Sequence, residues 1–377
     1  MDGQNLVVYG DFGAYTCRWF KDEEFEDFLQ SVQESDREHV AELVMQRADR
    51  PAMLALIKSS SKKIQWFRYL HHSDSPKIRG NIVAAIGIND QTLKDYSGEI
   101  YLENLGDIDL TCKELPTDKS VIVVKEDAGT EGKPVTMKEV RFQLYKETSP
   151  RLPDSPTSFL LDVGSHVTLD NCELSDSTWG GAVVRAWGHL KATRTMFRRN
   201  KSFGVAVKYA GSTAVLEEDC KLSDNEGNGA SVGDGGHLQA TRTTFSGNTG
   251  NGVCIFSGGT VILKEDCTLS DNEKGARVEV GVGLEATGTT FSRNVKVGVN
   301  VSGTGSKAVL MGCKLFENVA GTLVGDGGRL EATGTTFSRN VKVGVCVSGT
   351  GSKAVLTGCT SVGGDGREAD NGTIVAQ

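Results

Sequence analysis

Eight positions spaced 22 to 25 residues apart carry the ionisable side chains best placed for chemistry: Asp176, Arg199, Asp224, Gly247, Asp271, Arg293, Glu317 and Arg339. A row of aligned carboxylates can hold a divalent cation or activate a water. Here an arginine, or in one case a glycine, separates each acid from the next. Calcium requires several oxygens with no cation between them, so the row reads as a charge ladder. Each exposed pair in such a ladder contributes only ~0.2–1 kcal/mol, and its main effect is to fix register, as cross-strand pairs do in sheets.

Three other groups invite the same test. His166 and His189 occupy equivalent positions 23 residues apart, so their rings could share a metal. No Cys, Asp or Glu repeats at a matching spacing, and two ligands fall short of a zinc site. Ser302-Gly-Thr-Gly-Ser-Lys307 and its copy beginning at Ser348 have the glycines and lysine of a phosphate loop but the wrong spacing, and no helix pattern follows. They read as turns. Cys172, Cys220, Cys267, Cys313 and Cys359 recur at about twice the row spacing, which places them beyond disulfide reach as small apolar core residues. No metal, cofactor or catalytic set is expected.

The elements that position these residues are repeats. Leu284–Leu310 and Leu330–Leu356 are identical apart from Asn300 and Cys346, and begin 46 residues apart. One column reads Cys172, Thr195, Cys220, Thr243, Cys267, Thr289, Cys313, Thr335, Cys359. Two residues on, another reads Leu174, Phe197, Leu222, Phe245, Leu269, Phe291, Leu315, Phe337, Ser361. Asparagine then recurs at 200, 225, 248, 272, 294, 318 and 340. A third short apolar run follows each asparagine, with inward pairs such as Val205/Val207 and Val299/Val301, before a glycine-containing turn. Stacked parallel strands ~4.8 Å apart bury such columns in a shared interior, and asparagines at turns can form a ladder along the stack.

The 22–25-residue coil with its asparagine column resembles the right-handed parallel β-helix of the pectin lyase-like superfamily, across roughly residues 98–377. The resemblance implies a mainly β solenoid. Enzymes on that fold of the polygalacturonase type carry Asn-Thr-Asp, Asp-Asp, Gly-His-Gly and Arg-Ile-Lys motifs. None occurs here; Gly188-His-Leu and Gly236-His-Leu come nearest and begin strands. No family catalytic residue is carried over.

The outward row of the third strand is the surface of most interest. It runs Val183, Ala206, Ser231, Cys254, Arg277, Asn300, Leu323, Cys346, with Phe256 beside it. These are mostly small or apolar side chains on a face expected to meet water, which marks a protein-interaction face.

Residues 1–97 have a different pattern and read as a small α-helical N-terminal domain. Phe25, Phe28 and Leu29 suit one helical face and Val40, Leu43 and Val44 a second, with Ser35 as N-cap and Glu38 completing a capping box. Further helices are expected over 51–58, 62–70 and 78–86. Acidic residues dominate 22–49 and basic ones 50–80, which reads as neighbouring helices of opposite charge, so nucleic-acid binding is not expected there.

The 377 residues carry a net charge of −8, which excludes a surface that is basic throughout for nucleic acid or anionic lipid. The 46 glycines cluster after Gly180 without a collagen period and fit frequent turns. No apolar run approaches the ~18–20 residues of a membrane span. An acidic N-terminus without a signal pattern, an odd count of nine cysteines and the absence of any CxxC point to an intracellular, cytoplasmic chain. The expectation is a non-enzymatic scaffold, a rigid subunit docking with other proteins of a larger assembly. The alternative is a carbohydrate-active enzyme acting on an acidic polysaccharide.

Overall fold

The structure, a computed structural model, describes residues 4–11, 14–21, 41–46, 100–102, 109–111, 115–116, 122–124, 129–138, 141–143, 159–177, 179–362 and 367–377. From Ile100 onward the described chain winds as a right-handed parallel β-helix. Each full coil supplies three strands: a first of about five residues such as Thr213–Glu217, a second of three such as Lys221–Ser223, and a third of five or six such as Asn228–Gly233. These stack into first and third sheets of twelve strands each and a second sheet of eleven, all in parallel register. The register repeats the columns seen in the sequence, with Phe197 against Leu222, Leu222 against Phe245 and Phe245 against Leu269.

The interior is filled by alternating large and small side chains. Phe197, Phe245, Phe291 and Phe337 are the largest fully buried residues, and a leucine lies on the rungs between them. In the first sheet the alternation takes another form. Leu190 stacks on Ala214 and Ala214 on Leu238, while Ala192, Leu216 and Ala240 run in the opposite sense beside them. Neighbouring rungs therefore set large side chains against small ones. The cysteine column lies at the corner between first and second strands. Its thiols are all free, and each is a donor as well as a packing group: Cys220 Sγ donates to the Ala192 carbonyl at 3.3 Å and Cys313 Sγ to that of Ala286 at 3.3 Å. Burial pushes both thiols up to about 11.

The α-helical domain expected over residues 1–97 is not shown among the described residues. The described residues there form a three-stranded antiparallel sheet, with Gln4–Asp11 between Ala14–Lys21 and Ala41–Gln46. Leu43 and Val44, assigned above to a helix face, lie in the Ala41–Gln46 strand. Six residues of apolar pattern suit either period, and the free edge of the β-rich Gln4–Asp11 segment settles the choice by pairing. Phe25, Phe28, Leu29, Ser35, Glu38, Val40 and the helices expected over 51–58, 62–70 and 78–86 lie outside the described residues.

Candidate functional site: the outer face of the third sheet

Two columns set the course of the third strand. The buried asparagines form a continuous ladder. In each rung the side-chain amide donates to the next asparagine's Oδ1 and to a core carbonyl; Asn225 Nδ2 reaches Asn248 Oδ1 at 2.8 Å and the Phe197 carbonyl at 3.2 Å. The same Oδ1 also accepts the Asn225 backbone N–H at 3.1 Å. The left-handed residue of the corner is not the asparagine but the one before it. Asp176, Arg199, Asp224, Gly247, Asp271, Arg293, Glu317 and Arg339 all have φ between 52° and 66°. The charge ladder is thus built on left-handed positions that aim its side chains outward.

A glycine follows three or four residues after each asparagine, at 181 (after Ser177), 204, 229, 252, 275, 298, 321 and 344. In the first seven an added methyl would sit 2.4–2.8 Å from the carbonyl oxygen of the glycine one rung on. The backbone can bend around the ladder there only without a side chain. This column was missed in the sequence reading, although its offset from the asparagines is visible there.

Past the glycine bend the outer face separates into three zones along the axis. Val183, Phe203 and Ala206 form an apolar cluster of their own, separate from the interior. Farther along, Val297, Ala320 and Val343 form a second, against which Leu323 and Cys346 pack. Between them lies a polar band of Asn228, Ser231, Asn251, Cys254, Lys274 and Arg277, with half-buried Asn300 bordering it. The expectation that this face simply meets water fails at its first half: Val183 is 2% and Ala206 0% exposed, and Ser231 and Cys254 are also buried. Arg277, Asn300, Leu323 and Cys346 are half-buried, as is Phe256, whose ring fills the space beside Gly233. A sequence pattern that separates inward from outward does not register that depth.

The band has its own internal bonding. Asn228 Nδ2 donates to Ser231 Oγ at 3.0 Å, and Asn251 donates to Asn228 Oδ1 from both its backbone N–H, at 2.9 Å, and its side-chain amide, at 2.8 Å. This short second ladder stops at the next rung, where Lys274 replaces asparagine. Asn251 Oδ1, on a residue only 6% exposed, is left with no hydrogen-bond partner. Arg277 Nη2 pairs with Glu279 Oε1 at 2.9 Å, and burial pushes the Cys254 thiol up to about 11.

The other candidate groups fall elsewhere. In the charge ladder Asp176–Arg199 and Asp271–Arg293 are bidentate pairs, with both contacts at 2.8 Å in the first and 2.8–2.9 Å in the second, and Glu317–Arg339 closes at 3.3 Å. His166 and His189 stack with ring centroids 4.3 Å apart; among the described residues no group of three His, Cys, Asp or Glu is arranged to hold a metal. His189 Nδ1 lies 2.7 Å from Thr213 Oγ1. Burial, then the neighbouring His166, holds the His189 ring below the usual histidine range. The sequence reading also passed over Trp179, Trp187 and Tyr209, large aromatics exposed at the ends of the third strands. Trp187 (69% exposed) and Tyr209 adopt left-handed backbone, near an Arg185 guanidinium that forks onto Asp162.

The fold and these faces define a parallel β-solenoid. A model described as the right handed beta helix region matches residues 153–265 and 211–361, more than half of the chain, and the chain belongs to that family. No curated protein matches it in sequence. Among solved structures, the periplasmic alginate epimerase AlgG is 11% identical, with 77% of this chain and 83% of that one covered and a TM-score of 0.46. The A-module of the mannuronan C-5 epimerase AlgE6 of Azotobacter vinelandii is 13% identical over 78% and 94%, with a TM-score of 0.44. A tailspike protein of bacteriophage CBA120 is 12% identical over 97% and 68%, with a TM-score of 0.40. At these levels the likeness is one of winding alone.

Proposed function

We propose that this chain is a non-catalytic scaffold that docks a partner protein along the outer face of its third sheet. The observation that carries the reading is the half-buried Leu323 and Cys346, apolar side chains packed on the buried Val297/Ala320/Val343 cluster, outside a sheet whose inside is already packed. Extended rigid surfaces of this kind suit binding in repeat proteins, and apolar patches with polar surroundings mark interaction sites. A photo-crosslinker placed at Leu323 is expected to capture a defined protein from native extract. The same group at Thr290, on the outside of the second sheet, serves as the control. Equal labelling at both positions, or none at Leu323, would sink the reading.

A second reading is favoured by the exposed aromatics. Trp187 and Tyr209 on successive rungs, beside Arg185, offer flat faces and a guanidinium suited to an acidic sugar. Under this reading a polyuronate panel would show binding or turnover that Trp187→Ala abolishes; a panel with no bound or altered polymer would remove it.

A further inference from the structure

Two neighbouring turns of the rod depart from the rest in backbone as well as in side chain. Where a third strand leads into the next first strand, the next-to-last residue of the turn is left-handed. From the second such turn onward it is always glycine, at 211, 235, 258, 281, 305, 327 and 351, with φ between 72° and 84°. The turn before these has Trp187 at that position, with φ 66°. Tyr209, φ 71°, holds the position that Gly303 and Gly349, φ 99° and 80°, fill in the other turns of its length. An L side chain is disfavoured in that backbone, so the chain keeps strain on two adjacent rungs and presents two aromatic rings by doing so. Strain retained in this way gathers at functional sites.

Both rings are placed for contact. Trp187 is 69% and Tyr209 55% exposed. A methyl added to Gly211 would sit 2.1–2.8 Å from three atoms of the Trp187 six-membered ring, so the indole rests against bare glycine backbone one rung on. That contact restrains the ring and leaves the side turned away from it open. A ring held like this offers contact area at little loss of side-chain freedom.

The surroundings select the ligand. Arg185 and Lys208 follow the paired Val184 and Val207 on neighbouring rungs. Arg185 is matched by the buried Asp162, its Nε donating to Oδ1 at 2.9 Å, while Lys208 makes no ion pair among the described residues. The outward charge beside the rings is therefore positive and calls for an acid. Next to the rings the turns carry Ala186, Gly188, Ala210 and Gly211, which have no side-chain donor or acceptor, and Ser212 is fully buried. A sugar ring presents hydroxyls that need such partners. A proline ring needs none, and an extended polyproline II segment presents it to flat aromatic side chains.

We infer that the Trp187 and Tyr209 turns bind a proline-rich acidic segment of a partner protein, with proline rings on the two aromatic side chains and a carboxylate on Lys208. This contact lies several rungs from Leu323. It adds to the docking reading without resting on it, and it competes with the sugar reading for the same aromatic pair.

The test uses the full chain and labelled peptides of about nine residues, three turns of polyproline II. One alternates proline with glutamate, a second has alanine for every proline, and a third has glutamine for every glutamate. Fluorescence anisotropy is expected to show the first binding and each of the others about tenfold more weakly. Trp187→Gly should abolish peptide binding with the melting temperature equal or higher, since every later turn uses glycine there. Should it melt lower, Trp187→Asn, which also tolerates that backbone, takes its place. Lys208→Glu should bring the glutamate peptide down to the level of the glutamine one. Equal binding of the proline and alanine peptides, binding unchanged in the folded Trp187 variant, an acid preference unchanged in Lys208→Glu, or no peptide binding at all overturns the inference. A polyuronate oligomer that binds the wild type and not the Trp187 variant, while the peptides fail to bind, gives the aromatic pair to the sugar reading. Capture at Leu323 is decided separately from all of these outcomes.

Discussion

Asparagine at the ladder position meets three demands that no other side chain meets together. It accepts a backbone N–H and an amide from the preceding rung, donates to the next rung, and donates to a core carbonyl. Asn272 illustrates this, with Nδ2 on the Phe245 carbonyl at 3.0 Å and Oδ1 accepting from Asn248 at 2.9 Å. Asn272→Ala should destabilise the fold by about 2–4 kcal/mol, the cost of leaving several buried groups unpaired, measured by urea denaturation. Glycine positions divide by environment. Gly252→Ala places its methyl 2.7 Å from the Gly275 carbonyl oxygen and should cost as much or more, whereas Gly312 has nothing within 4 Å and a φ of +59°. Gly312→Asn should therefore change the melting temperature little, because asparagine tolerates left-handed backbone. The asparagine column was legible in the sequence because it repeats one residue type at one interval. The depth of Asn251 was not legible, because it depends on which side chain occupies the next rung.

Between neighbouring strands, charge sets how stability varies with pH. Hydrogen bonding to Arg293 holds the Asp271 carboxyl below its usual 3.8, and Lys296 does the same to Glu273 relative to 4.5. A depressed carboxylate contributes stability above its unfolded pKa, and that contribution fades as pH falls through the folded value. These pairs should weaken below about pH 4.5, and Arg293→Ala should flatten that acid limb while costing at most about 1 kcal/mol at neutral pH, because the pair is half exposed. The histidines act in the same direction at higher pH. Burial lowers His189 and His237 from 6.5, so the unfolded chain binds protons first and stability rises as pH increases through that value. His189→Gln combined with His237→Gln should remove part of the rise between pH 5 and 7, read from melting temperatures across that range. The alternation of acid and arginine was readable as a ladder from spacing alone. Its outward aim from left-handed residues was not, because asparagine carries the stronger sequence signal for that backbone and sits one residue away.

At the scale of the whole molecule the repeat is two rungs long, not one. Phenylalanine and leucine alternate in the core, cysteine and threonine at the corner, and Leu/Ala with Ala/Leu in the first sheet. Removing residues 284–329 joins Gly283 to Leu330 with every neighbour kept in type except that Arg277 meets Cys346 in place of Asn300, so that chain should fold and unfold cooperatively with a slightly lower midpoint. Removing 283–306 instead brings Leu269 against Leu315 and Leu263 against Leu310, deletes Phe291 and leaves both a gap and a crowded site. It should lose roughly 3–5 kcal/mol, the scale of a buried phenylalanine, or fail to fold. Denaturation midpoints of the two deletions decide the matter. The solenoid was legible from column periodicity. The N-terminal strands were not, because short apolar runs take their conformation from whatever edge is available to pair with them.

The near-identity of Leu284–Leu310 and Leu330–Leu356 carries that pairing into the history of the chain. Two stretches so alike invite misaligned recombination, and each such event inserts or removes 46 residues. Only exchanges of this even kind preserve the match of large on small, so viable lengths of this rod are expected to come in steps of two rungs, about 10 Å each time. An odd number of coils added or lost would have to be paid for by repacking the interior from end to end of the insertion. Variation in reach is then quantised by the packing of the core.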